Sequence, residues 1–399
     1  MTTTTASPFL DLTGAVEASG ADAGVAAHYG NPLREQRLLA QGAIVDLSTR
    51  GVLTVTGPDR LSWLDSVTSQ SIKGLAPGAS AETLLLDPSG HIEHAIRVFD
   101  DGVTVWLLVD AAEASTLFGW LDRMRFTLRV EVADRTAEYA TIGWMPAPDA
   151  ALAASSAAET DGASAVRAFA AEPNGVALVW TDPWSSVVVG GHQYAEIDEH
   201  PGAGYTWREV LVDRDELPAL ASAVARGDVE IAGTLAAEAL RIAAWRPRLA
   251  TERDERLIPH EVDWIRSAVH LNKGCYRGQE TVAKVHNLGH PPRRLVMLHL
   301  DGSDAVLPAP GDEVLVASGH EVAVQDAAPV GVITASVVHY ELGPIALALV
   351  KRTTPVDATL AVASEGILVA AAQEVIVPPE AGAAVGRIPR LPRLGAQRR

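Results

Sequence analysis

The only cysteine of the chain, Cys275, sits in the segment Leu271 to Glu280, LNKGCYRGQE, between Lys273 and Arg277 and bracketed by Gly274 and Gly278. Cationic neighbours and a nearby helix start favour thiolate over thiol, and the thiolate is the form that attacks electrophiles and binds metal. Gly274 and Gly278 let the backbone take conformations closed to other residues and come close to a ligand. Gly278 falls near a helix N-cap, with QETVAKVHN as the helix behind it. Glu280 in its first turn and Lys284 toward its end match the helix macrodipole. The open amides of that start would help hold an anion near the sulfur. Cys275 and Lys273 are therefore the expected catalytic pair, with Arg277 as a further cation. The competing reading is a buried cysteine acting as a small hydrophobe. The Lys, Arg, Gln and Glu beside it, seldom buried unpaired, weigh against that.

One cysteine cannot hold an iron-sulfur cluster, which typically takes four protein ligands, so any cluster would be shared with a partner or an exogenous thiol. His260, His270, His286 and His290 are conceivable ligands. His286 and His290 have the helical pair spacing used for zinc, but Gly289 and Pro291 break the helix there, and no resident metal site is expected.

At 399 residues, 48% of them hydrophobic, the chain is long enough for two or three cored domains. A net charge of -18 repels polyanions, so direct nucleic-acid binding is not expected. Local basic stretches are RPRL at Arg246 to Leu249, PPRR at Pro291 to Arg294 and the tail from Arg387. A single cysteine excludes an internal disulfide. The N-terminus has no basic and apolar leader pattern, and no run of about 18 apolar residues appears, so a cytoplasmic protein without membrane spans is the expectation.

These residues must be positioned by recognisable elements. Residues 1–30 lack periodicity and are expected to be disordered. Pro32 opens a helix that ends before Gly42. AIVDLS and GVLTVTG read as a hairpin or paired strands closed by Gly51 and Gly57. Asp59 to Val67 is helical, and ETLLLDPSGHIEHAIRVFDDGVTVWLLVD is a strand meander with DPSG and DDG as turns. A helix over AAEASTLFGWLDRMRF and a strand over LRVEVADRT complete a first α+β domain, residues 31–145. Residues 146–174 are an Ala- and Ser-rich linker or insertion. VALVWTD and SSVVVGG read as strands, EVLVDRDELPALASAVARGD as a strand leading into a helix and GTLAAEALRIAAW as a helix, so that 175–292 form a second α+β domain carrying the thiol segment. Five or so short strands over 293–380 predict a small barrel, and 381–399 a flexible basic tail.

HYGNPLREQRLL, VDLSTRGVLTVTGPDRLSWL and IPHEVDWIRSAVHLNKGCYRGQETVAKVHNLGHPPRRL together resemble the YgfZ-type folate-binding proteins, relatives of the T protein (aminomethyltransferase) of the glycine cleavage system. The likeness runs over roughly residues 28–380, and KGCYRGQE is its most specific part. It implies an α+β fold of intertwined α/β folate-binding domains of aminomethyltransferase type with a C-terminal β-barrel. It also implies tetrahydrofolate or a one-carbon derivative as cofactor, and a supporting role in iron-sulfur cluster assembly or repair. Partners would be iron-sulfur assembly proteins or client enzymes, tRNA-modifying ones among them. The family thiol maps onto Cys275, and its other motif positions onto Lys273, Gly274, Tyr276, Gly278, Gln279 and Glu280. Folate needs an apolar slot and a cation; Trp63, Tyr205, Trp207, Trp264 and Tyr276 are aromatic candidates, with Arg34, Arg60 and Arg294 for the glutamate tail.

Two departures from the T-protein branch stand out. In the segment Asp87 to Phe99, His94 and Ala95 stand where a pair of aspartates would be. Glu93 is adjacent, but neighbours on a strand face opposite sides. Transfer of a one-carbon unit needs a carboxylate near the reacting nitrogen to steady positive charge, so ordinary aminomethyltransferase activity is not expected. The T-protein Leu-Glu-Ala that follows a helix Arg reads Ile242, Ala243, Ala244. The alternatives are a one-carbon transferase with a rearranged acid group, Glu93 or His94, and a thiol redox or sulfur-relay protein.

Overall fold

The computed structural model describes residues 6–147, 166–317 and 328–385. Three β-structures surround one shared core. The first is an antiparallel five-stranded sheet in the order Ser80–Leu86, Ile92–Asp100, Thr104–Val109, Gly51–Thr56, Glu131–Asp134. Its first hairpin is set by Asp87, whose Oδ1 accepts the Ser89 and His91 N–H groups at 2.8 Å, while Gly90 turns the chain at φ +85°. Both faces of this sheet are covered. Leu53, Val55, Leu85, Ile96, Val98 and Leu107 pack beneath the helices Arg60–Val67 and Ala114–Met124, whereas Leu84, Leu86, Ala95, Phe99 and Leu108 turn to the centre of the molecule. That period-two split follows from the pleat.

The second sheet runs Val179–Thr181, Arg208–Asp213, Tyr139–Trp144, Ile44–Asp46, Ile231–Ala232, with only the last pair parallel. The helices Leu217–Arg226 and Thr234–Ala243 contribute their apolar residues to two different cores, outer and central. The third structure is a closed barrel of six strands between Arg293 and Val375. Val296, Leu298, Ile333, Ala346, Ala348 and Val362 form its own core, while Leu295, Met297, Ala335, Leu347 and Leu349 join the central one. The α+β architecture expected from the sequence is present, with the two sheets interwoven along the chain.

Several expectations need correction. Ile44–Asp46 and Gly51–Thr56 do not pair but lie in different sheets. Buried Asp46 takes the Ser48 N–H at 2.9 Å and starts the turn that sends the chain across. Residues 6–30 are folded, not disordered: Phe9 and Val25 are fully buried, and Val16–Glu17 pairs with Ala26–His28. SSVVVGG forms no strand; Val189 is 87% exposed. Most of the Ala- and Ser-rich stretch and of the basic tail, 148–165 and 386–399, lies outside the described residues. The flanks of both are packed, since Val166 and Ala381 are buried and the Ala384 N–H donates to the His286 carbonyl at 2.9 Å. Among the described residues, no helix is long and apolar enough to cross a membrane.

Candidate functional site

The thiol loop is an exposed corner clamped at its base. Cys275 is exposed, and the helix Gln279–Leu288 starts behind it at Gly278, φ +81°. A Cβ on Gly278 would lie 2.7 Å from the Asp87 carbonyl oxygen and 3.1 Å from the Gly90 Cα, so glycine here is what lets the loop dock on the first hairpin. The cations expected to serve the sulfur are committed elsewhere. Lys273 Nζ donates to the carbonyls of Asp65, Thr68 and Gln70 at 2.5, 2.9 and 2.6 Å, closing the C-terminal end of the helix Arg60–Val67. Burial pulls its ammonium below its ordinary range, and Asp65 restores only part of that. Arg277 is paired with Glu93 at 2.5 Å and lies over the Trp120 ring. Those three bonds give Lys273 a structural part at the base of the loop.

The remaining motif positions have similar parts. Gln279 Nε2 reaches the Lys273 and Gly274 carbonyls at 3.3 and 3.4 Å, bracing the loop, and Glu280 is exposed. Tyr276 is buried in the central core beneath Lys273. Trp63 is buried in the core shared with the helix Ala114–Met124, and Arg60 is held by both oxygens of Asp100 at 2.8 and 3.0 Å. Arg34 is exposed, and Arg294 is buried in the barrel against the Thr354 carbonyl. His286 bonds Tyr194 and His290 the Ala381 carbonyl. Among the described residues, no three His, Cys, Asp or Glu side chains converge as a metal site would require. The donors present do not fit a resident iron-sulfur cluster.

Titratable groups converge instead on a central chamber of about 40 Å³ between the two sheets, walled by Arg50, Arg97, Arg241, Arg246 and Arg248 with Asp182, Glu209, Glu238, Tyr205 and Trp207. Glu209 Oε1 takes Arg50 and the Trp207 indole N–H, with Arg97 at 3.3 Å. Burial alone would raise Glu209, but Arg50 and Arg97 outweigh it and keep the group ionised. Its Oε2 is buried with no partner. Tyr205 and Trp207 stack with centroids 6.1 Å apart and planes 9° from parallel. Arg246 joins Glu82 at 2.6 Å to Asp182 at 3.0 Å, and Arg248 gathers Asp22, Asp110 and Glu238 at 2.8, 3.2 and 3.4 Å. Burial pushes Asp182 up to about 6; Arg246 opposes the rise, and the Glu82 charge on the same guanidinium adds to it.

Of the aromatic candidates only Tyr205 and Trp207 line this chamber. The arginines and Glu209 were missed, and RPRL, read only as a local basic stretch, supplies Arg246 and Arg248 to the interior. A signal was present: Arg97 and Glu209 interrupt apolar strands at centre-facing positions of the alternation.

On the strand Ile92–Asp100, His94 points away from the chamber, its Nδ1 3.0 Å from Glu113, while Ala95 joins the central core. A bulge at Glu93 breaks the alternation there, with Ile92 and Ala95 both in the central core, so alternation alone does not give Glu93 a face. Its carboxylate is taken by Arg277.

Residues 33–174 match the model of the GCVT N-terminal domain family. A chloroplastic candidate transferase of Arabidopsis thaliana is 23% identical over 264 residues, 64% of this chain and 56% of that protein. An aminomethyltransferase of Synechococcus is 29% identical over 115 residues, 28% of this chain and 32% of that protein. The chain thus spans little more than half of the first relative and about a third of the second. Glycine cleavage system aminomethyltransferase T from Bartonella henselae superposes with a TM-score of 0.66 at 17% identity, covering 92% of this chain and 94% of that one. With its interwoven sheets and closed six-stranded barrel, the chain has the aminomethyltransferase-type fold, and residues 33–174 within it match the GCVT N-terminal domain model.

Proposed function

We propose that the central chamber binds tetrahydrofolate and that the protein is a tetrahydrofolate-binding accessory factor in iron-sulfur cluster assembly or repair, not an aminomethyltransferase. The observation that carries the folate reading is Glu209 Oε2, a buried carboxylate oxygen with no partner beside the stacked Tyr205 and Trp207. A reduced pterin offers a flat ring with N–H donors along one edge, which suits a charged acceptor next to aromatic faces. When bound, tetrahydrofolate supplies amine nitrogens that carry one-carbon units. About 40 Å³ holds little more than a water, so the ring enters as the long arginine side chains lining the chamber swing aside. Glu209 then anchors the ring edge, and the arginines that turn outward meet the carboxylates of the glutamate tail.

The accessory role rests on two points. The family thiol segment KGCYRGQE is intact and presents Cys275 to solvent, where a partner protein could reach it. Ala95 brings no carboxylate, and Glu93, at the bulge beside it, is paired with Arg277. A one-carbon transferase built on Glu93 would first have to break that pair.

Tetrahydrofolate titration by calorimetry tests the binding reading. The native chain should bind saturably, and Glu209→Gln should bind on the order of tenfold more weakly, the value of one hydrogen bond to a charged group. No binding by the native chain, or equal binding by the variant, overturns it. Complementation of a strain lacking its own such protein tests the thiol: Cys275→Ala should fail to restore iron-sulfur enzyme activity, and equal rescue removes Cys275 from the function.

A further inference from the structure

Arg266 poses a problem that the central chamber does not solve. It is 2% exposed, its Nη1 donates to Gln193 Oε1 at 3.0 Å, and its guanidinium lies 4.8 Å from the centre of the Trp184 ring. Arg246 lies 5.2 Å from the same indole and is neutralised by Glu82 and Asp182. Arg266 has no carboxylate within ion-pair distance among the described residues, and its Nε is buried without an acceptor. Among the described residues its Nη2 has no hydrogen-bond partner either, yet it is not among the sealed atoms, so it is the nitrogen that opens outward. A buried charge without a contact ion pair is costly: Asp263 and Asp182 favour this one from beyond ion-pair distance and an amide and a ring face touch it, yet burial outweighs them and pulls its pKa down.

What Arg266 opens onto is a cavity of about 570 Å³, separate from the central chamber and bounded by Ser185–Val187, Gln193 and Asp198–Gly204. His200 stands at its wall. Its Nδ1 accepts the Gly202 N–H at 2.9 Å, which puts the proton of a neutral ring on Nε2. Burial and the Arg266 charge hold its pKa down at about 4, so it adds no second cation. At the rim the charge reverses: Asp198 and Glu199 are exposed and line the same opening. A dianion would be repelled at that entrance, and the molecule as a whole carries -18. A ligand with a carboxylate at one end and an ammonium at the other meets a favourable charge at each depth.

We propose that this pocket binds a small zwitterion of the α-amino-acid class, with its carboxylate on the Arg266 guanidinium and its ammonium at the Asp198 and Glu199 rim. Only when occupied does such a site give the buried guanidinium a contact ion pair. It is independent of the folate reading, because it shares no lining residue with the central chamber.

Calorimetric titration of the full chain with L-serine, L-alanine and L-glutamate, against acetate, succinate and ethylamine, tests the proposal. At least one amino acid should bind saturably, with acetate, succinate and ethylamine each about tenfold weaker or worse, since each lacks one of the two charges or adds a repelled one. Arg266→Gln should weaken that amino acid about tenfold and leave tetrahydrofolate affinity unchanged. The exposed double variant Asp198→Asn, Glu199→Gln should also weaken it while relieving the exclusion of succinate. That rim variant folds whether or not Arg266→Gln does. Absence of amino-acid binding by the native chain, equal binding of acetate, or an unchanged amino-acid affinity in the rim variant overturns the proposal. So does displacement of bound tetrahydrofolate by the amino acid, which would put both ligands in one place. A chain that binds an amino acid but no tetrahydrofolate refutes the folate reading and leaves this one standing.

Discussion

Asp263 is a carboxylate held where water does not reach. It is fully buried in the left-handed backbone region at φ +54°, its Oδ1 takes the Tyr194 N–H at 2.8 Å, and its Oδ2 has no partner. Burial pushes its pKa up to about 7, against 3.8 ordinarily. Because the folded state binds the proton more tightly, this group adds stability below about pH 4 that is lost as the pH rises through 7. His260, three residues earlier, pulls the other way: burial holds it down at about 3, so its contribution is present above about 6.5 and lost on acidification. Asp263→Asn, a residue that tolerates the left-handed region, should remove the first slope and leave the second. Relative to the native chain, urea denaturation should show the variant gaining on the order of 3 kcal/mol between pH 4 and pH 7. A gain that does not grow with pH would show that Asp263 is ionised throughout. Cys275 was legible as an accessible group from its neighbours' types. The duties of those neighbours were not, because a lysine that caps three carbonyls and one that activates a thiol have the same letter.

At the scale of elements, the thiol loop is held by two joints that differ in kind. One is steric: Gly278→Ala would meet the Asp87 carbonyl in a backbone region that costs any side chain energy, and should destabilise by about 2–4 kcal/mol in urea. The other is polar. Lys273→Met leaves three carbonyls short of a donor and should cost about 3 kcal/mol. If Lys273 is structural, the rate of Cys275 alkylation should stay within about a factor of two, whereas an activating lysine would give a fall of tenfold or more. Helices and strands were legible where an apolar period or a start signal is clean; the helix Pro32–Leu39, whose buried face is Glu35, Gln36 and Leu39, is of the second kind, with Pro32 at its start and Asn31 accepting the Arg34 N–H at 3.0 Å. Sheet membership was not. Ile44–Asp46 and Gly51–Thr56 are equally β-branched and adjacent in sequence, and only the buried Asp46 turn tells that they part. SSVVVGG misled for a related reason: a short apolar run reads as a strand whether or not a partner edge exists for it.

In the whole molecule, charge acts as a fastener between segments far apart in sequence. Arg248 ties Asp22 of the N-terminal stretch, Asp110 after the first sheet and Glu238 on a helix of the second unit. Burial would raise Asp110, but Arg248, Arg97 and Arg50 keep it well below the ordinary carboxylate range. Arg248→Met should therefore cost about 3–5 kcal/mol, most of it from stranding those acids, with a lowered urea midpoint as the readout. Pairings of this kind leave no mark on composition, which is why RPRL reads only as a local basic stretch. The interwoven second sheet also bears on how the protein comes to exist. Ile44–Asp46 lies between Tyr139–Trp144 and Ile231–Ala232, so a chain leaving the ribosome holds an unfinished sheet until well over half of it has been made. A polypeptide released after residue 174 would expose apolar edges meant for segments it never received, and the cell would meet it as cargo for chaperones and proteases rather than as a working half.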